Sequence, residues 1–338
     1  MKTKWMGLAL ATFSSFAVAQ VGELYDANVN ERTTITNPAR AVKAAEGQWL
    51  AFSLPVLEGT RSPCCWKGKW NHMGEVGCNL ETTHQSYGMN SKSPLADEVI
   101  VYSKIRDGQV QSIHVVGKSC PVEAKGADVT WIGEVSEKAG LNWLEDVARS
   151  GKADTALFAL SFHRSKEASQ RLYDLAKEAD GDLSEEAIFW LGEARGAQGF
   201  KMLKKLLADL PRGDNRRQIN FALAMNDTPQ AAELLREISK SDPDPEQRGE
   251  AMFWLAEEFP QQAQEWLLEV IKTEQDEDVL EQAVFAISQL PDGNGDQILL
   301  DLARDDQTPR DVRRQALFWL ANSENDSTVA TLTNLLTR

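Results

Sequence analysis

Apolar positions recur through the last two thirds of the chain with a period near 32 residues. With Ala156 as position zero, the equivalent residues are Ala187, Ile219, Ala251, Ala283 and Ala316. Two residues on, every copy has phenylalanine: Phe158, Phe189, Phe221, Phe253, Phe285 and Phe318. Position +4 is Leu160, Leu191, Leu223, Leu255, Ile287 and Leu320, and position +16 is Leu172, Leu203, Leu235, Leu267, Leu299 and Leu332. Positions 0, +3 and +4 fall on one face of a helix that turns about 100° per residue. Positions +16 and +19 share a face of a second helix, so each unit reads as a helix pair, such as 185–195 and 198–210. Position +5 is always small (Ser161, Gly192, Ala224, Ala256, Ser288, Ala321), which leaves room for a neighbouring helix. Turn signals separate the units at Asp242-Pro-Asp-Pro245, Thr308-Pro309 and Pro211-Arg-Gly213. Thr228-Pro229 reads as an N-cap followed by proline at the first helical position. Ser136 to Arg149 reads as a lone helix that opens the stack. The pattern predicts an all-α solenoid of about six two-helix repeats over 134–338.

Residues 20–133 follow another rhythm. Residues 48–54 read as a strand stopped by Pro55. Residues 98–105 and 109–116 are β-rich runs on either side of Asp107-Gly108, which predicts a hairpin. Residues 129–132 add a short strand, and 59–94, rich in Gly, Ser, Asn and Cys, read as loop. The expectation is a small antiparallel β-rich domain, so the whole chain is α+β.

All four cysteines, Cys64, Cys65, Cys78 and Cys120, lie in this domain. An even, clustered set predicts two disulfides that staple a small core. Adjacent cysteines rarely bond each other, so Cys64 and Cys65 pair separately with Cys78 and Cys120, in either order. A zinc site built from Cys65, His72, Cys78 and His84 is a weaker reading, because the tight ligand pairs of structural sites are missing. A reactive thiol pair is weaker too, because there is no C-x-x-C motif.

The first nineteen residues carry Lys2 and Lys4, an apolar run from Trp5 to Phe16, and Ala17-Val18-Ala19. This predicts a signal peptide over 1–19, a mature chain from Gln20, and a soluble periplasmic or secreted product with no membrane insertion. Without Lys2 and Lys4 the formal charge goes from −15 to −17. An acidic chain with no Lys/Arg cluster in its sequence argues against nucleic acid or anionic lipid as partner. It suits a basic protein or peptide.

The repeats lack the T-P-L-H and W-x2-L-G-x2-Y motifs of ankyrin and tetratricopeptide units. Asp311-Val-Arg-Arg-Gln-Ala-Leu-Phe-Trp-Leu-Ala321 resembles the V-R-x-x-A-x-x-A-L-G helix of the short HEAT-like repeats also found in bilin-lyase-type proteins. The match runs from about residue 150 to the end and implies the fold, not bilin attachment. The whole chain also resembles a group of exported bacterial HEAT-repeat proteins, through Cys64-Cys65-Trp66, Gly77-Cys78-Asn-Leu-Glu81, Ser119-Cys120-Pro121 and the Phe-Trp-Leu repeats. That resemblance implies an envelope location and an association with envelope regulation. It supplies no catalytic residues.

Position +2 lies nearly opposite the 0, +3, +4 face. Its six phenylalanines either pack between repeats or line one surface as a binding stripe; the packing reading is favoured because an internal repeat repeats its core. Trp190, Trp254 and Trp319 occupy +3 in alternate units, against Ala159, Ala222 and Ala286 in the others, which predicts inward packing of Trp on Ala. His163, the lone histidine of the repeats, reads as structural, and Glu193, Glu257 and Glu258 read as solvated. No H-E-x-x-H, G-x-S-x-G or P-loop motif occurs, and no cofactor is implied. The sequence thus points to a non-enzymatic periplasmic protein–protein interaction scaffold, possible roles being envelope signalling or assembly. The alternative is a thiol/disulfide or metal-binding protein, or an enzyme, acting through the N-terminal domain.

Overall fold

The structure, a computed structural model, describes residues 21–66, 77–82, 86–89, 92–179, 181–291 and 293–323. The expected signal peptide, His72, His84 and the second helix of the sixth repeat lie outside these residues. The described chain forms two compact units: residues up to Leu54 with Arg61–Ser136, and Pro55–Thr60 with the chain from Glu137 onward. The fold is α+β, a β-sheet unit followed by helical repeats.

The first unit holds β1 (Leu24–Glu31), β2 (Trp49–Pro55), β3 (Cys64–Trp66), β4 (Cys78–Asn79), β5 (Ser86–Gly88), β6 (Glu98–Arg106), β7 (Gln109–Gly117) and β8 (Val122–Glu134). Helix α1 (Pro38–Ala41) and a 3-10 turn (Val42–Ala45) lie between β1 and β2. The main sheet runs β1-β8-β2-β6-β7, β4 pairs with β8, and β3–β5 form a separate ribbon. The expected hairpin is β6–β7, turning on Asp107 (φ 54°) and Gly108 (φ 70°), the positive-φ pair that a tight hairpin turn needs.

The expected all-antiparallel sheet is corrected. β8 pairs in parallel with both β1 (Leu24↔Val122) and β2 (Trp49↔Val129), so the sheet is mixed. A hairpin announces itself through its own turn. A parallel partner about a hundred residues away leaves no local mark. β1 was not anticipated, because Leu-Tyr-Asp-Ala-Asn-Val-Asn-Glu is polar and mostly exposed, as suits an edge strand. β8 is thirteen residues long, where four were expected.

The sheet core gathers Trp49, Ala51, Ile100, Tyr102, Val116, Val129 and Trp131 with all four cysteines. Successive side chains of a strand point to opposite faces. Cys64 and Cys65, neighbours on β3, accordingly bond different partners: Cys64–Cys120 and Cys65–Cys78. Among the described residues no cysteine is free.

The second unit opens with α2 (Glu137–Arg149). The repeats are α3 (Ala153–Phe162) with α4 (Glu167–Glu178); α5 (Asp182–Asp209); α6 (Asp214–Ala224) with α7 (Pro229–Ser241); α8 (Pro245–Glu258) with α9 (Pro260–Thr273); α10 (Glu277–Ser288) with α11 (Asn294–Arg304); and α12 (Arg310–Ala321). The α5 span is two helices meeting at Gly196, whose φ of 45° and ψ of −130° break the helix where the repeat pattern requires a turn.

Every residue at positions 0 and +4, from Ala156 and Leu160 to Ala316 and Leu320, is fully buried. So are the five described leucines at +16, from Leu172 to Leu299. The small residue at +5 has a steric cause at Gly192, where an added Cβ would lie 2.1 Å from the carbonyl oxygen of Ala222 on α6. Asp244 and Asp276 cap α8 and α10 by accepting from Glu246 N–H and from Asp278 and Val279 N–H. Thr228 precedes Pro229 as expected but does not cap with its side chain. Its hydroxyl donates to Asn226 Oδ1, and Asn226 in turn donates to the carbonyls of Gly192 and Gly196 in the preceding repeat.

Candidate functional site

The position +2 phenylalanines form a continuous aromatic ladder with the position +3 tryptophans. Two kinds of contact alternate along it. Where position +3 is Ala, the Phe meets the Trp of the next repeat: Phe158–Trp190 at 5.4 Å, Phe221–Trp254 at 4.7 Å and Phe285–Trp319 at 5.0 Å between ring centroids. Where position +3 is Trp, the Phe stacks on the next Phe: Phe189–Phe221 and Phe253–Phe285, both at 5.8 Å, with interplanar angles of 20° and 3°. Within a repeat, Phe189, Phe253 and Phe318 meet their neighbouring Trp edge-on. Phe162 joins at the first repeat against Phe158 and Trp190. Such pairs contribute roughly 0.5–1.5 kcal/mol each beyond area burial.

The ladder is not sealed. Phe158 is buried, Phe189, Phe221, Phe253 and Phe285 are half-buried, and Phe318 is 55% exposed. Phenylalanine thus packs between repeats and also turns part of its ring to solvent. The expected inward role of the tryptophans is corrected. Ala159, Ala222 and Ala286 are fully buried, whereas Trp190, Trp254 and Trp319 are half-buried members of the ladder. At position +3 the alanine methyl is buried, whereas each indole lies against the rings beside it. The adjacent Phe-Trp in alternate repeats was the sequence signal for this.

Carboxylates border the rings. Glu186, one turn before Trp190, accepts from its indole Nε1 at 3.0 Å. Burial raises the Glu186 carboxyl above its usual range, with Asp154 and Asp182 adding to the effect. Glu250, one turn before Trp254, is raised likewise by burial. Neither carboxylate makes an ion pair to a described cation. Glu193, Glu257 and Glu258 are exposed.

His163 is fully buried at the end of α3. Its Nδ1 accepts from Ser165 N–H at 3.1 Å, and its Nε2 has no partner. Burial pushes the ring's pKa down to about 4, with Arg195, Arg164 and Arg171 lowering it further and Glu137 opposing. The folded state holds the ring neutral while the unfolded chain protonates near pH 6.5. Its contribution is therefore complete above pH 6.5 and is lost as pH falls from 6.5 towards about 4. Urea titrations across that range should show His163→Gln removing about 3 kcal/mol of the wild-type acid sensitivity. An unchanged pH slope would refute the assignment.

The two buried disulfides remove Cys65 and Cys78 as zinc thiolates, since they are bonded to each other. His72 and His84 lie outside the described residues. The Cys64, Cys78 and Cys120 sulfurs lie within 4.8 Å of one another because the two bridges lie side by side.

No family model matches the chain, and no curated protein matches it. Among solved structures it is similar to human deoxyhypusine hydroxylase in complex with glycerol, at 16% identity over 58% of this chain and 77% of that one, with a TM-score of 0.25. That likeness carries no argument about this chain. The helical-repeat reading rests on the repeats themselves.

Proposed function

We propose that the protein is a non-enzymatic interaction scaffold outside the cytoplasm, in the bacterial periplasm, whose aromatic ladder binds a segment of a partner protein in envelope signalling or assembly. The observation that carries this is the unbroken run of ring contacts from Phe158 to Phe318 with open edges in every repeat after the first. Exposed aromatic surface of this extent is characteristic of a binding face. Glu186 and Glu250, which make no ion pair within 4 Å of a described cation, suggest the chemistry: apolar side chains against the rings, and Lys or Arg over a ring face beside a carboxylate. Four cysteines closed in two bridges and the Ala17-Val18-Ala19 signal support an oxidising compartment. Thiol chemistry at these four cysteines would first require opening a buried bridge.

Peptides selected from a random library on the full chain should include a class rich in Lys, Arg and aromatic residues. Phe221→Ser/Phe253→Ser/Phe285→Ser should weaken that class at least about tenfold while the far-ultraviolet circular dichroism of the helices persists. If the triple variant unfolds, or if it binds the peptides unchanged, the ladder is core and the reading fails.

A further inference from the structure

The second helices carry a feature of the opposite charge, independent of the ladder. Lys201, Lys204 and Lys205 on α5, with Arg236 and Lys240 on α7, are all exposed, and apart from the pull of Lys205 on the Asp209 carboxylate none of the five pairs with a described carboxylate. Elsewhere in the repeats, Arg171, Arg216, Arg217 and Arg248 all have acidic partners. The cationic set instead leans on aromatic rings. Lys205 Nζ lies 4.1 Å from the Tyr173 ring centre, and Arg236 and Lys240 lie 5.1 and 5.7 Å from that of Trp266. Trp266 is anchored by its Nε1 donating to Ser239 Oγ at 2.8 Å.

Three of these cations, Lys204, Arg236 and Lys240, line a groove of about 520 Å³ between α5, α7 and α9. Its apolar wall is Phe200, Leu234 and Trp266, and Glu233 and Glu237 also face it. The volume falls in the usual range for a ligand site, roughly 300–1,000 Å³. Arg236 and Lys240 are one turn apart on α7, and repeat stacking brings Lys204 of α5, 32 residues before Arg236, beside them.

We propose that this groove docks a short acidic segment of a partner polypeptide, its carboxylates on Lys204, Arg236 and Lys240 and an apolar side chain against Phe200 and Leu234. Charge complementarity favours this occupant over a nucleic acid. Glu233 and Glu237 interrupt the cationic surface, and a continuous polyanion would meet them and the acidic remainder of the chain. A peptide can space its carboxylates around them and offer backbone N–H groups to both glutamates. The scaffold then has two faces of opposite preference, rings with carboxylates on the first helices and cations with an apolar wall on the second.

Selection of random short peptides on the full chain should yield a class rich in Asp and Glu beside apolar residues. Its binding should weaken at least about tenfold in Lys204→Glu/Lys240→Glu and with rising salt, and hold in the control Lys138→Glu and in the ladder variant. Both groove positions are exposed, so the reversed variant keeps its fold. The proposal is overturned if no acidic class appears, if that class ignores the reversal, or if a single-stranded oligonucleotide competes it off at equal concentration. Loss of the ladder peptides alone would sink the proposed function and leave the groove standing.

Discussion

Arg195→Ala is expected to destabilise the helical unit by about 2–5 kcal/mol, the cost of leaving buried neutral acceptors without their donor. Arg195 lies in the last turn of the first helix of repeat two and is 6% exposed. It has no carboxylate. Its Nε donates to Ser169 Oγ at 2.8 Å, Nη1 to the carbonyls of Ser161 and His163 at 2.9 and 2.7 Å, and Nη2 to that of Ser165 at 2.9 Å. The guanidinium therefore closes the α3–α4 turn of repeat one from the side of repeat two. The Ser161 and His163 carbonyls belong to the C-terminal end of α3, where a helix presents negative partial charge. Burial pulls the guanidinium's pKa down to about 10, so it stays charged at neutral pH.

Truncation strands the carbonyls of Ser161 and His163, each costing about 1–3 kcal/mol if left dry, while the Ser165 carbonyl keeps Ala168 N–H as a donor. Arg195→Lys should recover less than half of the loss, because a point ammonium cannot span acceptors fixed by a planar fork. Urea unfolding followed by circular dichroism at the helix band measures both variants. A loss below about 1 kcal/mol for the alanine variant would mean that water replaces the guanidinium, a surface value.

Opening the two disulfides is expected to lower the stability of the sheet unit by several kcal/mol while leaving the helical transition in place. The bridges close loops of 13 and 56 residues. In the chain-entropy account these restrict the unfolded chain by about 3 and about 4 kcal/mol. Losses of that size are comparable to the whole stability of a small domain, about 5–15 kcal/mol. They fall on β3 and β4, short strands of three and two residues. Cys64→Ala/Cys120→Ala, which opens the longer loop, should cost more than Cys65→Ala/Cys78→Ala. Amide hydrogen exchange read peptide by peptide should lose the protection of the sheet strands on reduction. The helices, which contain no cysteine, should melt unchanged. Equal shifts of both transitions would contradict this.

How much of the molecule was legible depends on how local its cause is. The repeat was readable because each unit buries the same atoms: position zero is Ala or Ile and position +4 Leu or Ile in every copy, and all are fully buried. The Asp107-Gly108 hairpin was readable because its turn is made by the two residues that name it. β1 was missed because an edge strand needs no apolar face, and the parallel pairing of β8 was missed because its partners are distant. The ladder was half legible. The six phenylalanines stood out, but helical spacing placed the tryptophans inward, and only the packed neighbours show them lying against the rings instead. Arg195 gave no sign at all. A guanidinium buried on carbonyls reads, in one dimension, like any solvated arginine.

By itself the sequence determined the α+β division, the period near 32, the hairpin and the fact that adjacent cysteines seek separate partners. These follow from short-range rules of helix period, turn chemistry and strand alternation. Tertiary structure alone decided which cysteine bonds which, that the sheet is mixed, that tryptophan joins phenylalanine in one half-buried ladder, and that two lysines and an arginine gather around Trp266. Each of these depends on surfaces that meet only when repeats stack or strands pair across long separations, and loop closure over such distances leaves no mark on the intervening residues.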